Sequence, residues 1–105
     1  MEYVLILSTV SKKEDAHSIA NHLVIHKTAA CVNIIPNIES VYKWKNEVCK
    51  ENEFLLMIKT TADKETTVYE SLKEIHPYDI PEVITLPIQK GSKDYLNWIS
   101  ESVES

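Results

Sequence analysis

Seven consecutive residues, His76-Pro77-Tyr78-Asp79-Ile80-Pro81-Glu82, put an imidazole, a phenol, two carboxylates and two prolines into one connection. Each proline fixes φ near about −65° and pushes the residue before it, His76 or Ile80, out of the helical region. The segment is stiff, and stiff segments hold side chains in place. An imidazole with a carboxylate across a rigid turn suits a borderline ion such as Cu(II) or Zn(II), which makes His76 and Glu82 the candidate metal ligands. Two ligands from one chain bind weakly, so a subunit boundary would have to supply the rest. Acid–base work with His76 as base and Tyr78 or Glu82 as acid is the enzymatic alternative, but no substrate suggests itself. The plainest alternative is that Pro77 ends a helix while Tyr78 and Ile80 plug the edge of the core.

Other reactive groups are weaker candidates. His22 and His26 stand four apart and could chelate one ion, yet they flank the apolar stripe of a helix and have no third ligand nearby. Glu14 and Asp15 open that helix, where negative charge complements the dipole. Ser8, Ser40, Cys31 and Cys49 lack any local nucleophile signature. Gly91 is the only glycine, so the glycine-rich phosphate cradles are absent. No catalytic or cofactor-binding residue is assigned, and the chain reads as non-enzymatic.

The elements that must position His76 to Glu82 follow from the apolar pattern. Tyr3 to Thr9 is a nearly continuous apolar run, the mark of a central strand. Ser11 and Glu14 have capping-box spacing, and Ala16, Ile19, Ala20, Leu23 and Lys27 recur at helical spacing, Lys27 through its aliphatic stem. Cys31 to Trp44 reads as strand, with Val32, Ile34, Ile38, Tyr42 and Trp44 on one parity and Pro36 marking a bulge or an edge. Lys45-Asn46-Glu47 is the turn into a second strand through Phe54 to Thr61. Asp63 to Ile75 is a helix buried through Val68, Leu72 and Ile75 and stopped by Pro77. Val83 to Ile88 is a strand, and Gly91-Ser92 turns into a last helix with Tyr95, Trp98, Ile99, Ser102 and Val103 on one face, capped by Ser92.

That order predicts an α+β ferredoxin-like sandwich, βαββαβ plus a C-terminal helix. Fourteen strand residues at about 3.3 Å span roughly 46 Å, whereas a compact chain of this size is about 33 Å across. The hairpin must therefore protrude, carrying Val41, Tyr42, Trp44 and Val48 toward its tip, and exposed aromatics with unpaired backbone call for a partner, most simply another copy.

Bulk composition narrows the class. The 105 residues are expected to form one domain, residues 1–105, with apolar residues at 44% and charged residues at 26%. The net charge is −5 and the lysines are scattered, which argues against nucleic acid. A lead-in of Met1-Glu2-Tyr3-Val4 without basic residues, and no apolar run near ~18 residues, point away from export or membrane insertion and toward the cytoplasm. There Cys31 and Cys49 would stay thiols, with Cys31 in the core.

Five motifs carry a family resemblance: Ala29-Ala30-Cys31-Val32-Asn33-Ile34-Ile35-Pro36, Ser40-x-Tyr42-x-Trp44, Ile58-Lys59-Thr60-Thr61, His76-Pro77-Tyr78 with Pro81-Glu82, and Tyr95-Leu96-x-Trp98. In this order they resemble the CutA family, small proteins tied to tolerance of divalent cations. The resemblance implies a ferredoxin-like fold, a homotrimer joined by strand pairing, and binding of copper or other divalent ions, with the family's metal-associated position on His76 and Glu82 as the nearby carboxylate. The chain departs from some members at Ser8, where they carry a cysteine ligand, and at Ile75, where they carry a second histidine. Asn46 stands where the family usually has glycine in the hairpin turn. The remaining alternative is a signalling trimer resembling the PII regulators, binding a small effector or a protein partner.

Overall fold

The computed structural model describes residues 2–104; Met1, at the start of the lead-in, and Ser105, the last residue of the expected domain, lie outside it. Strand β1 (Tyr3–Val10) is followed by helix α1 (Lys13–Ile25). Strands β2 (Cys31–Trp44) and β3 (Glu47–Thr61) then form the hairpin. A short 3₁₀ turn, Ala62–Lys64, leads into α2 (Glu65–Ile75), and β4 (Ile84–Ile88) and α3 (Lys93–Val103) complete the chain. All neighbouring strands are antiparallel in the order β2-β3-β1-β4, so β1 is central and β2 and β4 are edges. The arrangement is the ferredoxin-like α+β sandwich, and its long axis of 44 Å against 25 and 22 Å comes from the projecting hairpin.

Helices α1 and α2 bury one face of the sheet. Val4, Ile6 and Val10 of β1 and Leu56 and Ile58 of β3 pack there against Ala16, Ile19, Leu23, Val68 and Leu72. The opposite face is covered only in part: α3 packs Leu96, Ile99 and Val103 on Ala30 and Tyr3, and the Tyr3 hydroxyl shares a 2.6 Å hydrogen bond with Ser100. Tyr95 and Trp98 flank this contact instead of entering it, each about 40% exposed, because Leu96, Ile99 and Val103 at i, i+3 and i+7 form the inward stripe. The remainder of this face stays open. Leu5, Leu7, Leu55 and Met57 are only half-buried, and Ile35, Ile84 and Leu86 on the flanking strands are exposed.

The edge strand β2 carries a bulge. Ile35 pairs with Leu55 but Ile38 pairs with Glu53, so three residues of β2 advance against two of β3, and Asn37 takes the extra position at φ 62°. One inserted residue exchanges the faces of everything beyond it. Val32 and Ile34 lie opposite Ile58 and Leu56 on the helix-covered side, while Ser40, Tyr42 and Trp44 lie opposite Glu51, Cys49 and Glu47 on the other side. The single apolar parity from Val32 to Trp44 therefore divides between two faces. The hairpin closes with Lys45 at φ 51° and Asn46 at φ 66°, the pattern of a type I′ turn, and Glu47 already belongs to β3.

Three local expectations are corrected. The N-cap position of α1 is Lys12 and makes no side-chain capping bond, so Ser11 and Glu14 do not form a capping box. Cys31, expected in the core, is only half-buried, because it is the first residue of an edge strand. Lys27 lies beyond α1 and is exposed: at φ 59° it is the left-handed residue of a terminating turn in which the Lys27 amide donates to Val24 O and the Thr28 amide to Leu23 O. A Cβ in this conformation is strained, so Lys27→Gly is expected to stabilise the fold by about 1 kcal/mol. A urea midpoint that rises at unchanged m-value is the measurement that checks it.

Candidate functional site

His76 is where α2 stops. Pro77 forbids the helical conformation to the residue before it, and His76 sits at φ −75°, ψ 135° with its amide still donating to Leu72 O at 2.9 Å. This turn aims the ring at the end of β1. The imidazole is 8% exposed, and its Nε2 lies 2.8 Å from Thr9 O. A carbonyl only accepts, so Nε2 carries the proton; Nδ1 then accepts from the Tyr78 amide at 3.1 Å. Both ring nitrogens of the neutral imidazole are satisfied within the chain.

The clamp fixes Tyr78, whose ring meets the imidazole edge-on at 4.8 Å between centroids. Its hydroxyl donates to Glu53 Oε2 at 2.6 Å. Burial, reinforced by this carboxylate, pushes the Tyr78 phenol above its ordinary range, so it remains a donor at any physiological pH. Farther out on the hairpin Tyr42 donates to Glu51 Oε2 at 2.5 Å, and that bond raises the phenol to about 12. Glu51 and Glu53 are two apart on β3 and share one face.

Between the hairpin and the rigid connection lies a cavity of about 550 Å³. Thr9, Ser40, Val41, Tyr42 and Trp44 form one part of its wall and Tyr78 and Ile80 another. Four carboxylates, Glu51, Glu53, Asp79 and Glu82, line it, and no lysine or arginine does. Glu82, expected from sequence, thus faces the cavity, whereas His76 stands behind the wall and holds Thr9 and Tyr78 in it. Ser8 and Ile75, where the chain departs from the family pattern, do not line it. Ser8 is fully buried with a hydroxyl that has no hydrogen-bond partner, and Ile75 packs against the core. On α1, His22 and His26 stack with centroids 4.3 Å apart, and His26 Nδ1 donates to His22 O at 2.9 Å. Among the described residues, no three His, Cys, Asp or Glu side chains converge to hold a metal ion.

Glu51 and Glu53 were not expected in a site, because acids at alternate positions of a strand read as a solvated face. Their opposition to Ser40 and Ile38 across the hairpin was the available signal, and the bulge had to be placed before it could be used.

The sequence matches the profile of the CutA1 divalent ion tolerance protein over residues 4–102. The chain belongs to the CutA1 family. The divalent-cation tolerance protein CutA of Thermus thermophilus is 43% identical over 98 residues, covering 93% of this chain and 95% of its own. The CutA of Arabidopsis thaliana, named as chloroplastic, is 43% identical over 102 residues, and this chain spans only 56% of it. Among solved CutA structures, that from Xylella fastidiosa superposes with a TM-score of 0.96 at 33% identity, covering 99% of this chain and 100% of its own. The fold expected from the CutA resemblance is thus the observed one.

The clamp has a pH signature. Burial lowers the His76 pKa from 6.5, against the opposing pull of Thr9 O and of the Asp15 and Glu53 carboxylates. The unfolded chain therefore binds the proton more readily, so this contribution to stability is complete above about pH 6.5 and shrinks as pH falls toward the lowered value. Below pH 6.5 the His76 contribution should decline by up to about 1.4 kcal/mol per pH unit. His76→Gln should flatten the urea-midpoint profile there, and an unchanged slope would remove His76 from the account.

Proposed function

We propose that this chain is a non-enzymatic homotrimer of the divalent-cation tolerance type that binds divalent metal weakly in clefts between subunits. One observation carries the reading: the carboxylate-lined cavity and the uncovered apolar sheet face lie on the same side of the hairpin, so a copy that covers the face reaches the cavity. Ile35, Ile84 and Leu86 are 40%, 50% and 40% exposed, more apolar surface than a lone soluble chain ordinarily leaves in water. The edges of β2 and β4 offer the backbone for strand pairing with neighbouring copies.

Glu82 supplies one oxygen donor. His76 supplies its nitrogen only by surrendering the Tyr78 amide bond to Nδ1, a cost of about 0.5–1.5 kcal/mol that accounts for weak binding. The remaining donors come from a neighbouring copy, with copper or zinc the ions suited to a mixed nitrogen and oxygen set. Catalysis has no part in this reading, since the imidazole is engaged on both nitrogens. A cytoplasmic location agrees with two free thiols, and no helix among the described residues is long and apolar enough to cross a membrane. A nucleotide-sensing role of the PII kind is disfavoured at this cavity, whose four carboxylates would repel phosphate.

Light scattering should give three times the chain mass. Calorimetric titration with Cu(II) should show weak binding that Glu82→Gln reduces at least tenfold, while the doubly substituted His22→Ala, His26→Ala protein keeps it. Loss of binding in that double variant alone would move the metal to the α1 surface and sink the cleft reading.

A further inference from the structure

The cavity is built for something larger than an ion. Its volume of about 550 Å³ lies in the range of small-molecule sites, and no three metal-ligating side chains converge within the described chain. Its chemistry is mixed: acid from Glu51 and Glu53 on β3 and from Asp79 and Glu82 on the connection, with indole, phenol and aliphatic surface from Trp44, Tyr42 and Ile80. Glu53 is 5% exposed, and its Oε2 accepts a hydrogen bond from Tyr78. A carboxylate so buried can accept from more than one donor, and in a cavity whose wall carries no lysine a positive group is the ligand that best offsets its charge. Glu51, held by Tyr42, faces the same space one strand step away.

We propose that the cavity binds a small organic cation, a primary ammonium on an apolar body, with its charge between Glu53 and Glu51 and its body against Trp44 and Ile80. The ammonium has three hydrogens for oxygens that the two phenols leave free, and the indole face attracts the charge a second time through its quadrupole. An anionic ligand is rejected by the same carboxylates, and a neutral one brings no charge to offset them. This inference uses Glu51 and Glu53, not His76 and Glu82, and does not rest on the metal reading.

Phenethylamine is the probe, with phenethyl alcohol and 3-phenylpropanoate as its neutral and anionic counterparts, titrated into the assembled protein in EDTA. The readout is the indole Nε1–H resonance of Trp44, with Trp98 on α3 as an internal reference. The amine should shift Trp44 saturably and bind at least tenfold more tightly than the alcohol, with the carboxylate inert. Glu53→Gln should weaken the amine at least tenfold; if that buried substitution impairs folding, the more accessible Glu51→Gln serves, and Trp44→Leu, which removes the reporter indole and is followed by calorimetry, should weaken binding several-fold. Equal binding of amine and alcohol, no saturable shift at millimolar amine, or amine binding indifferent to whichever carboxylate variant folds would each overturn the proposal. Copper binding that persists while the amine fails leaves the metal reading standing, and amine binding without copper does the reverse.

Discussion

One inserted residue in β2 governs the rest of this molecule. Without Asn37 in its left-handed conformation, the outer half of the strand would keep the parity of the inner half, and Tyr42 and Trp44 would continue the helix-facing side of the sheet. With it, they turn to the side of Glu51 and Glu53. A bulge is inexpensive on an edge strand because the bent residues have no second neighbour whose ladder must also adjust. Asparagine meets the left-handed requirement at a small fraction of the strain a β-branched residue would suffer.

The second constraint is the histidine clamp. Ordinarily a histidine at a helix C-terminus is read as a cation complementing the dipole. Here burial and a carbonyl acceptor select the neutral ring with the proton on Nε2, which leaves Nδ1 to receive the Tyr78 amide. The residue bridges two backbone segments that no sheet hydrogen bond joins, the end of β1 and the turn after α2. Pro77 and Pro81 shorten the list of conformations the turn must give up on folding. Tyr78 is thereby carried to Glu53, and a buried carboxylate acquires a donor that no pH in the physiological range removes.

Much of this was legible in the residues. The apolar run of β1, the helical stripes ended by Pro77, and a strand too long for a compact chain led to the observed order and to the projecting hairpin. What failed was anything that depended on one residue of register or one turn of helix. Lys27 fits the periodicity of α1 but follows its end, because the helix terminates through backbone geometry that side-chain spacing does not encode. Ser11 has the type and spacing of a cap, yet α1 begins one residue later, with Lys12 at the N-cap position. Glu82 stood out because it belongs to a stiff, chemically dense segment, and it lines the cavity. Glu53 was missed because its significance is made by β2 and by Tyr78, neither of which is near it in sequence.

These observations bear on how a tolerance protein handles charge. The cavity concentrates carboxylates that the chain does not neutralise, and like charges in partial burial repel one another unless protons, ions or a partner intervene. The two phenols relieve part of this by donating hydrogen bonds without adding charge, which keeps the site acidic. An acidic, preorganised space beside an open apolar face has a consequence for affinity under the reading proposed above: ordering costs already met by folding would not be met again on binding a cation.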